Sequence, residues 1–172
     1  VTHYHPDHAG NTGWLCTRFG APLWMTQAEY LTAHAVRAGV AGYVPGATLS
    51  LFRANGLDEE RFAQMAGRGN IYARQVPEFP ERYRRIMDGD EIAIDGRAWR
   101  VIAGHGHAPE HASLWCPELN VLIAGDQVLP KISTNVGVWP NEPQADALTW
   151  FLDGFAPSRN PDFGDALAAL AA

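Results

Sequence analysis

Six residues near the start of the chain, His3-Tyr4-His5-Pro6-Asp7-His8, put three imidazoles and a carboxylate into one short stretch. Imidazole nitrogen and carboxylate oxygen are the donor set of zinc, iron and manganese centres that activate water. In extended backbone, side chains at alternate positions share a face, so His3 and His5 can address one ion. Asp7 and His8 then turn towards a neighbouring position. The bland alternative is a solvated histidine cluster with no ion. About a hundred residues on, Gly104-His105-Gly106-His107-Ala108-Pro109-Glu110-His111 forms a second histidine stretch. The apolar run Val121-Leu122-Ile123-Ala124 then closes in Gly125-Asp126. An acid at the end of a buried strand serves as a ligand, a helix cap or a catalytic group.

These residues need elements to hold them. Residues 1–10 are polar and read as a loop, and 11–19 as a short helix stopped by Gly20. Pro22 to Met25 reads as a buried strand. Thr26-Gln27-Ala28-Glu29 has the pattern of a capping box, with Glu29 reaching back to the Thr26 amide and a helix running to about Arg37. Residues 40–88 read as irregular helix, with Asp58 as an N-cap and Gly56, Gly67 and Gly69 as stops. Arg82, Arg84 and Arg85 with Glu81 and Asp88 read as a solvated helix face. Residues 91–94 and 97–102 around Asp95-Gly96 predict a hairpin with a type I′ turn. Residues 112–116 and 121–124 predict a second hairpin. Residues 145–156 and 163–171 read as helices. The second histidine stretch therefore leaves a strand between two hairpins, from which it can face the first.

With 172 residues, 47% of them apolar, the chain has enough material for one domain with a sizeable core. Thirteen basic against nineteen acidic residues give a net charge of −6, which argues against a nucleic-acid partner. No apolar run reaches the 18 or so residues of a membrane span. Cys16 and Cys116 lie far apart and form no thiolate pair, which makes them buried apolar thiols. The chain opens on Val1, two residues before the motif, which reads as a fragment or processed product. The location expected is cytoplasmic.

Thr2 through His8 resemble the Thr-His-x-His-x-Asp-His signature of the metallo-β-lactamase-fold hydrolases, a family that includes glyoxalase II-like enzymes. Gly106 to His111 is similar to that family's Gly-His-Thr-Pro-Gly-His loop, and Ala124-Gly125-Asp126 to its Ser/Ala-Gly-Asp strand end. The resemblance implies an α/β fold, an αββα sandwich with one or two metal ions at the edge of its sheets. It places His3, His5 and His111 on one ion, Asp7 and His8 on a second, and Asp126 between them. His105 and His107 then take supporting roles in the loop, although a rival assignment puts His107 in place of His111. Glu110 stands where the family has Gly, which changes the loop's backbone or adds a carboxylate near the metals. No histidine follows His111, so the family's last ligand is absent, as are the strands that precede its first motif. Both gaps suit one partial domain over 1–172, with a helical insertion at about 27–87 that shapes a substrate pocket or a dimer contact.

The activity this implies is hydrolysis of a small ester, thioester, lactone or phosphodiester by a metal-bound hydroxide. Asp7 and Asp126 are the catalytic candidates. The cofactor is Zn2+, one or two ions, with Fe or Mn as substitutes. The partner is a small molecule, and a homodimer would suit the helical insertion. Lys131, the only lysine, is a candidate for pairing with an anionic substrate group. Rival readings are a mononuclear iron oxygenase of the same fold and a non-catalytic metal-binding module.

Overall fold

The computed structural model describes residues 1–156 and 161–171. After His3 and His5 the chain makes one helical turn, α1 (Pro6–Ala9), where the sequence suggested loop. Proline at the first helical position has its φ already set and lacks an N–H that would go unpaired there. The His5 carbonyl accepts from the amides of His8 and Ala9, and this turn brings the His8 ring against the His3 ring, with centroids 4.2 Å apart. Next come α2 (Thr12–Phe19), closed by Gly20 in the left-handed region, and strand β1 (Leu23–Met25). Four helices follow: α3 (Gln27–Ala38), α4 (Pro45–Ala54), α5 (Glu59–Ala66) and α6 (Ile71–Gln75). Asp58 caps α5 by accepting from the Arg61 amide, as its position suggested.

Residues 81–88 are not the helix face the sequence suggested. Tyr83–Arg85 forms strand β2, parallel to β1, with Leu23 opposite Tyr83 and Met25 opposite Arg85. Pro77 and Pro80 stop any helix from running into this segment. Tyr83 stacks on Tyr30 of α3 with ring centroids 3.8 Å apart, and the Arg84 guanidinium lies 5.2 Å from the Trp24 ring.

The second half is a four-stranded antiparallel meander: β3 (Glu91–Ile94), β4 (Arg97–Gly104), β5 (His111–Cys116) and β6 (Val121–Ile123). Asp95 and Gly96 both have positive φ, 52° and 76°, as a type I′ turn requires. A 3-10 turn at Gly125–Gln127 follows β6, and the chain ends in α7 (Ala147–Asp153) and α8 (Pro161–Ala171).

Strand alternation sorts the apolar side chains into three layers of contact. Leu23 and Met25 pack with Tyr30 and Ala33 of α3, Tyr72 of α6, and Tyr4. Trp24, on the other face of β1, packs with Ile86, Val101 and Ala112 between the two sheets. Ile102 and Trp115, on the far face of the meander, pack against Phe163 and Ala166 of α8. The order is helices, two-stranded sheet, four-stranded sheet, helix, the αββα layering expected. Among the described residues no helix is long and apolar enough to cross a membrane.

Ile102 is fully buried between β4 and α8. Truncation to Ala should lower unfolding free energy by about 2–5 kcal/mol while leaving a folded chain. Urea unfolding followed by circular dichroism measures this, and a loss under about 1 kcal/mol would contradict the described packing.

Candidate metal centre

Tyr4 sits between the two leading histidines, and its side chain points into the core beside Met25 and Tyr72. His3 and His5 therefore project from the opposite side of an extended backbone. Both polar groups of the Tyr4 backbone are held. Its amide donates to Glu29 Oε2 at 2.8 Å, and its carbonyl accepts from the Tyr72 hydroxyl at 2.6 Å. Glu29 Oε1 also accepts from the Glu110 amide at 2.6 Å. One fully buried carboxylate thus ties the first histidine stretch to the second. Burial pushes that carboxyl up to about 7, against the opposing pull of the two amides.

Glu29 is therefore not half of a capping box. The α3 amide of Ala28 donates instead to Glu110 Oε2 at 3.3 Å, and the Thr26 hydroxyl donates to the Glu110 carbonyl at 2.8 Å. Glu110 serves the N-terminus of α3, which answers what its carboxylate does in the loop.

The rings converge. His3 Nε2 lies 2.9 Å from His5 Nδ1 and 3.1 Å from His107 Nε2, and the last two atoms are 3.0 Å apart. His107 Nδ1 faces the Asn135 carbonyl at 2.8 Å, so that nitrogen carries the proton and Nε2 presents a lone pair. Asp126 Oδ2 stands 3.6 Å from His107 Nε2, and its Oδ1 stands 3.2 Å from His8 Nε2. Asp7 Oδ2 is 3.7 Å from His8 Nε2 and is largely exposed. The Thr2 hydroxyl lies between His3 Nδ1 at 3.1 Å and His8 Nδ1 at 3.4 Å. Burial holds His3 far below the ordinary imidazole range and lowers His5 to about 4, with neighbouring rings adding to both shifts. Each of these nitrogens meets two others at about 3 Å, more contacts than its single lone pair or single N–H can satisfy by hydrogen bonds. Their lone pairs suit a cation.

Two groups of donors result: His3, His5, His107 and Asp126, and Asp7, His8 and Asp126. Five of the six sequence-derived ligands fall within them. His111 belongs to neither group, and His107, the rival candidate for its place, belongs to the first. The reason is local geometry. His111 opens β5 opposite Gly104, so its ring turns into the protein, 4.9 Å from the His3 ring, with neither nitrogen hydrogen-bonded. A Cβ at Gly125, whose φ is 50°, would stand 2.5 Å from His111 Nε2. Only glycine lets the turn bearing Asp126 pass so close. His107 sits on the loop itself, where the Asn135 contact aims it at the other rings. Burial lowers His111 to about 3.

The family model of the metallo-beta-lactamase superfamily matches residues 1–171. The chain belongs to that superfamily. A beta-lactamase domain protein from Burkholderia ambifaria is similar in structure, with a TM-score of 0.77 and 40% identity over 90% of this chain and 43% of its own. A metallo-beta-lactamase family protein from Thermus thermophilus gives a TM-score of 0.70 at 30% identity, over 95% of this chain and 50% of its own. The curated Beta-lactamase-like protein 2 homolog of Caenorhabditis elegans is 39% identical over 61 residues, 36% of this chain and 21% of that protein. The chain thus spans half or less of the length of these superfamily relatives.

The motif residues were legible from spacing. Glu29, Tyr72 and Asn135 were not, because each acts through a contact dozens of residues away in sequence. The one signal at Glu29 was the Thr-x-x-Glu pattern, which points to a cap.

Replacing Glu29 with Gln leaves an Nε2 donor facing one of two amide donors. Divalent-metal affinity should fall on the order of tenfold or more with the circular dichroism spectrum kept, as for other groups that orient ligands. Titration against a chromophoric chelator reads this, and unchanged affinity would refute the clamp.

The lowered rings also set an acid limit. Folding favours neutral His3, His5 and His111, so their stabilisation is whole above the ordinary value of 6.5. It is lost as pH falls, through about 4 for His5 and about 3 for His111. Glu29 runs the other way, costing stability as pH rises from 4.5 through about 7. Three rings outweigh one carboxyl, so the metal-free chain should weaken between pH 6.5 and 4.5, by about 1.4 kcal/mol per pH unit for each net proton taken up on unfolding. Urea midpoints across that range test it, and a flat or opposite trend would count against it.

Proposed function

We propose that His3, His5, His107 and Asp126 hold one divalent cation and Asp7, His8 and Asp126 a second, and that the centre hydrolyses a small ester, thioester, lactone or phosphodiester. The observation that carries this reading is the meeting of three imidazole nitrogens, two of them on buried rings, at 2.9–3.1 Å beside a carboxylate. The nitrogen-rich donor set favours zinc. Such an ion, when bound, polarises a scissile carbonyl or phosphoryl oxygen and brings the pKa of water down to about 7.

The protein's own groups have separable tasks. Asp126 turns one oxygen towards His8 and the other towards His107, so it belongs to both groups. Asn135 fixes the His107 tautomer through its carbonyl, and hydrogen bonding of this kind raises the basicity of the opposite nitrogen. Thr2 orients His3 and His8 together. Asp7, exposed beside His8, has free lone pairs with which to take a proton from water and pass it to a leaving group. The second group has three donors, which leaves room for substrate oxygen.

Purified without a histidine tag, the chain should carry about one to two equivalents of zinc by inductively coupled plasma mass spectrometry. His5→Ala and His107→Ala should each lose metal and hydrolysis of p-nitrophenyl acetate together, whereas His111→Asn should keep its metal. Metal retained in His107→Ala and lost in His111→Asn would reverse the assignment. Iron with redox activity would point to an oxygenase, and metal without turnover of any ester or phosphodiester to a binding module.

A further inference from the structure

A cavity of about 980 Å3 opens beside the histidine cluster, with His5 in its wall. Tyr4, Val36, Tyr72 and Trp139 line it, and Leu31 and Trp150 stand at its sides with 54% and 41% of their surfaces in water. Among the described residues the lining holds no Lys or Arg, although the chain has thirteen, and its one carboxylate is Glu142. Lys131 is exposed and lies outside the lining, so the anionic partner suggested by its position in the sequence finds no cation here. Tyr72 donates to the Tyr4 carbonyl, and Tyr43 accepts from Asn141 Nδ2 at 3.3 Å.

From this wall chemistry we infer that the substrate is electrically neutral and carries an alkyl or aryl acyl group several carbons long, which the cavity takes up beside the metal centre. The inference rests on reading that centre as hydrolytic, and it narrows the substrate to uncharged esters, thioesters or lactones. Three arguments carry it. The volume is at the large end of ligand pockets, well beyond what an acetyl group fills. A phosphate or free carboxylate placed in the part of the cavity away from the metal centre would lose its hydration without gaining a cationic partner. Leu31 and Trp150 keep apolar surface in water that an alkyl chain would cover. Because His5 belongs both to this wall and to the cluster, a chain seated in the cavity delivers its carbonyl to the side where the donor atoms converge.

Binding and turnover can be read separately. Calorimetric titration of the zinc-loaded chain with butanamide and octanamide measures binding without hydrolysis, and titration of the metal-free chain with octanamide and octyl phosphate reads the wall with no zinc to attract the phosphate. Each methylene buried is worth about fourfold in affinity, so octanamide should bind more than about tenfold tighter than butanamide. In the metal-free chain octanamide should also bind tighter than octyl phosphate. Leu31→Glu, at a half-exposed wall position, should abolish the preference for the longer amide with metal content unchanged. Equal affinity of the zinc-loaded chain for the two amides, tighter binding of octyl phosphate to the metal-free chain, or a length preference that survives in Leu31→Glu would each overturn the inference. In parallel, p-nitrophenyl butyrate and octanoate report turnover. Length-dependent binding with no hydrolysis of either ester would sink the hydrolytic reading and keep the neutral apolar pocket, whereas hydrolysis with no length dependence would do the reverse.

Discussion

The centre depends on one buried carboxylate. Glu29 joins the amide of Tyr4, between the first two histidines, to the amide of Glu110, just before His111. A carboxylate removed from water is costly unless its lone pairs are filled, and here two short amide bonds fill them. Its position in the first turn of α3 adds the favourable end of a helix dipole. The strength of the clamp matters because the rings do not hold one another together. His3, His5 and His107 present nitrogens that gain little from mutual contact without a cation, and protonation of His3 and His5 is opposed by burial. The backbone must therefore keep the two histidine stretches in register while the rings themselves contribute almost nothing to cohesion.

The segments whose order comes from local rules were legible in the sequence. Asp95-Gly96 could make only a tight turn, Gly20 could only end α2, and Asp58 could only cap α5. The histidine-aspartate string also declared itself, since alternate residues of an extended strand share a face. Three features were not legible. The parallel pairing of β1 with β2 joins two three-residue strands about sixty positions apart, and of the two only β1 has an apolar run that stands out. The Thr26–Glu29 pattern is the same whether Glu29 serves its own helix or two distant loops, and burial alone separates the cases. The choice between His107 and His111 turned on backbone direction. Gly106, at φ 89°, and the entry of His111 into β5 send two rings four residues apart to different sides.

Glu110 shows how a departure from a family pattern can be absorbed. In a glycine's usual place, it could have strained the loop or added charge near the metal ligands. Its side chain instead leaves the cluster and accepts from Ala28, taking over the duty that Glu29 gave up when it turned inward. The two glutamates have in effect exchanged tasks, and each exchange ties α3 to the second histidine stretch. The Thr26 hydroxyl reinforces the same junction. Helix α3 is thus the element through which both stretches are referenced to the core.

Placing catalytic groups requires tolerances of about 0.5 Å, and side chains on loops seldom meet them unless something rigid sets the loop. Here Tyr4 does so from within the motif. Its ring is buried among Met25, Tyr30 and Tyr72, while its neighbours on either side project towards the cation position. Any shift of Tyr4 relative to β1 or α6 would open voids in a close-packed layer and break two short hydrogen bonds at once. Core packing and ligand placement are therefore one constraint acting on one residue. The same ring also walls the adjoining apolar cavity, so the position of the histidines and the shape of the space beside them are fixed together. The donor atoms bordering that space therefore have a separation set by the interior of the protein rather than by the mobility of a surface loop.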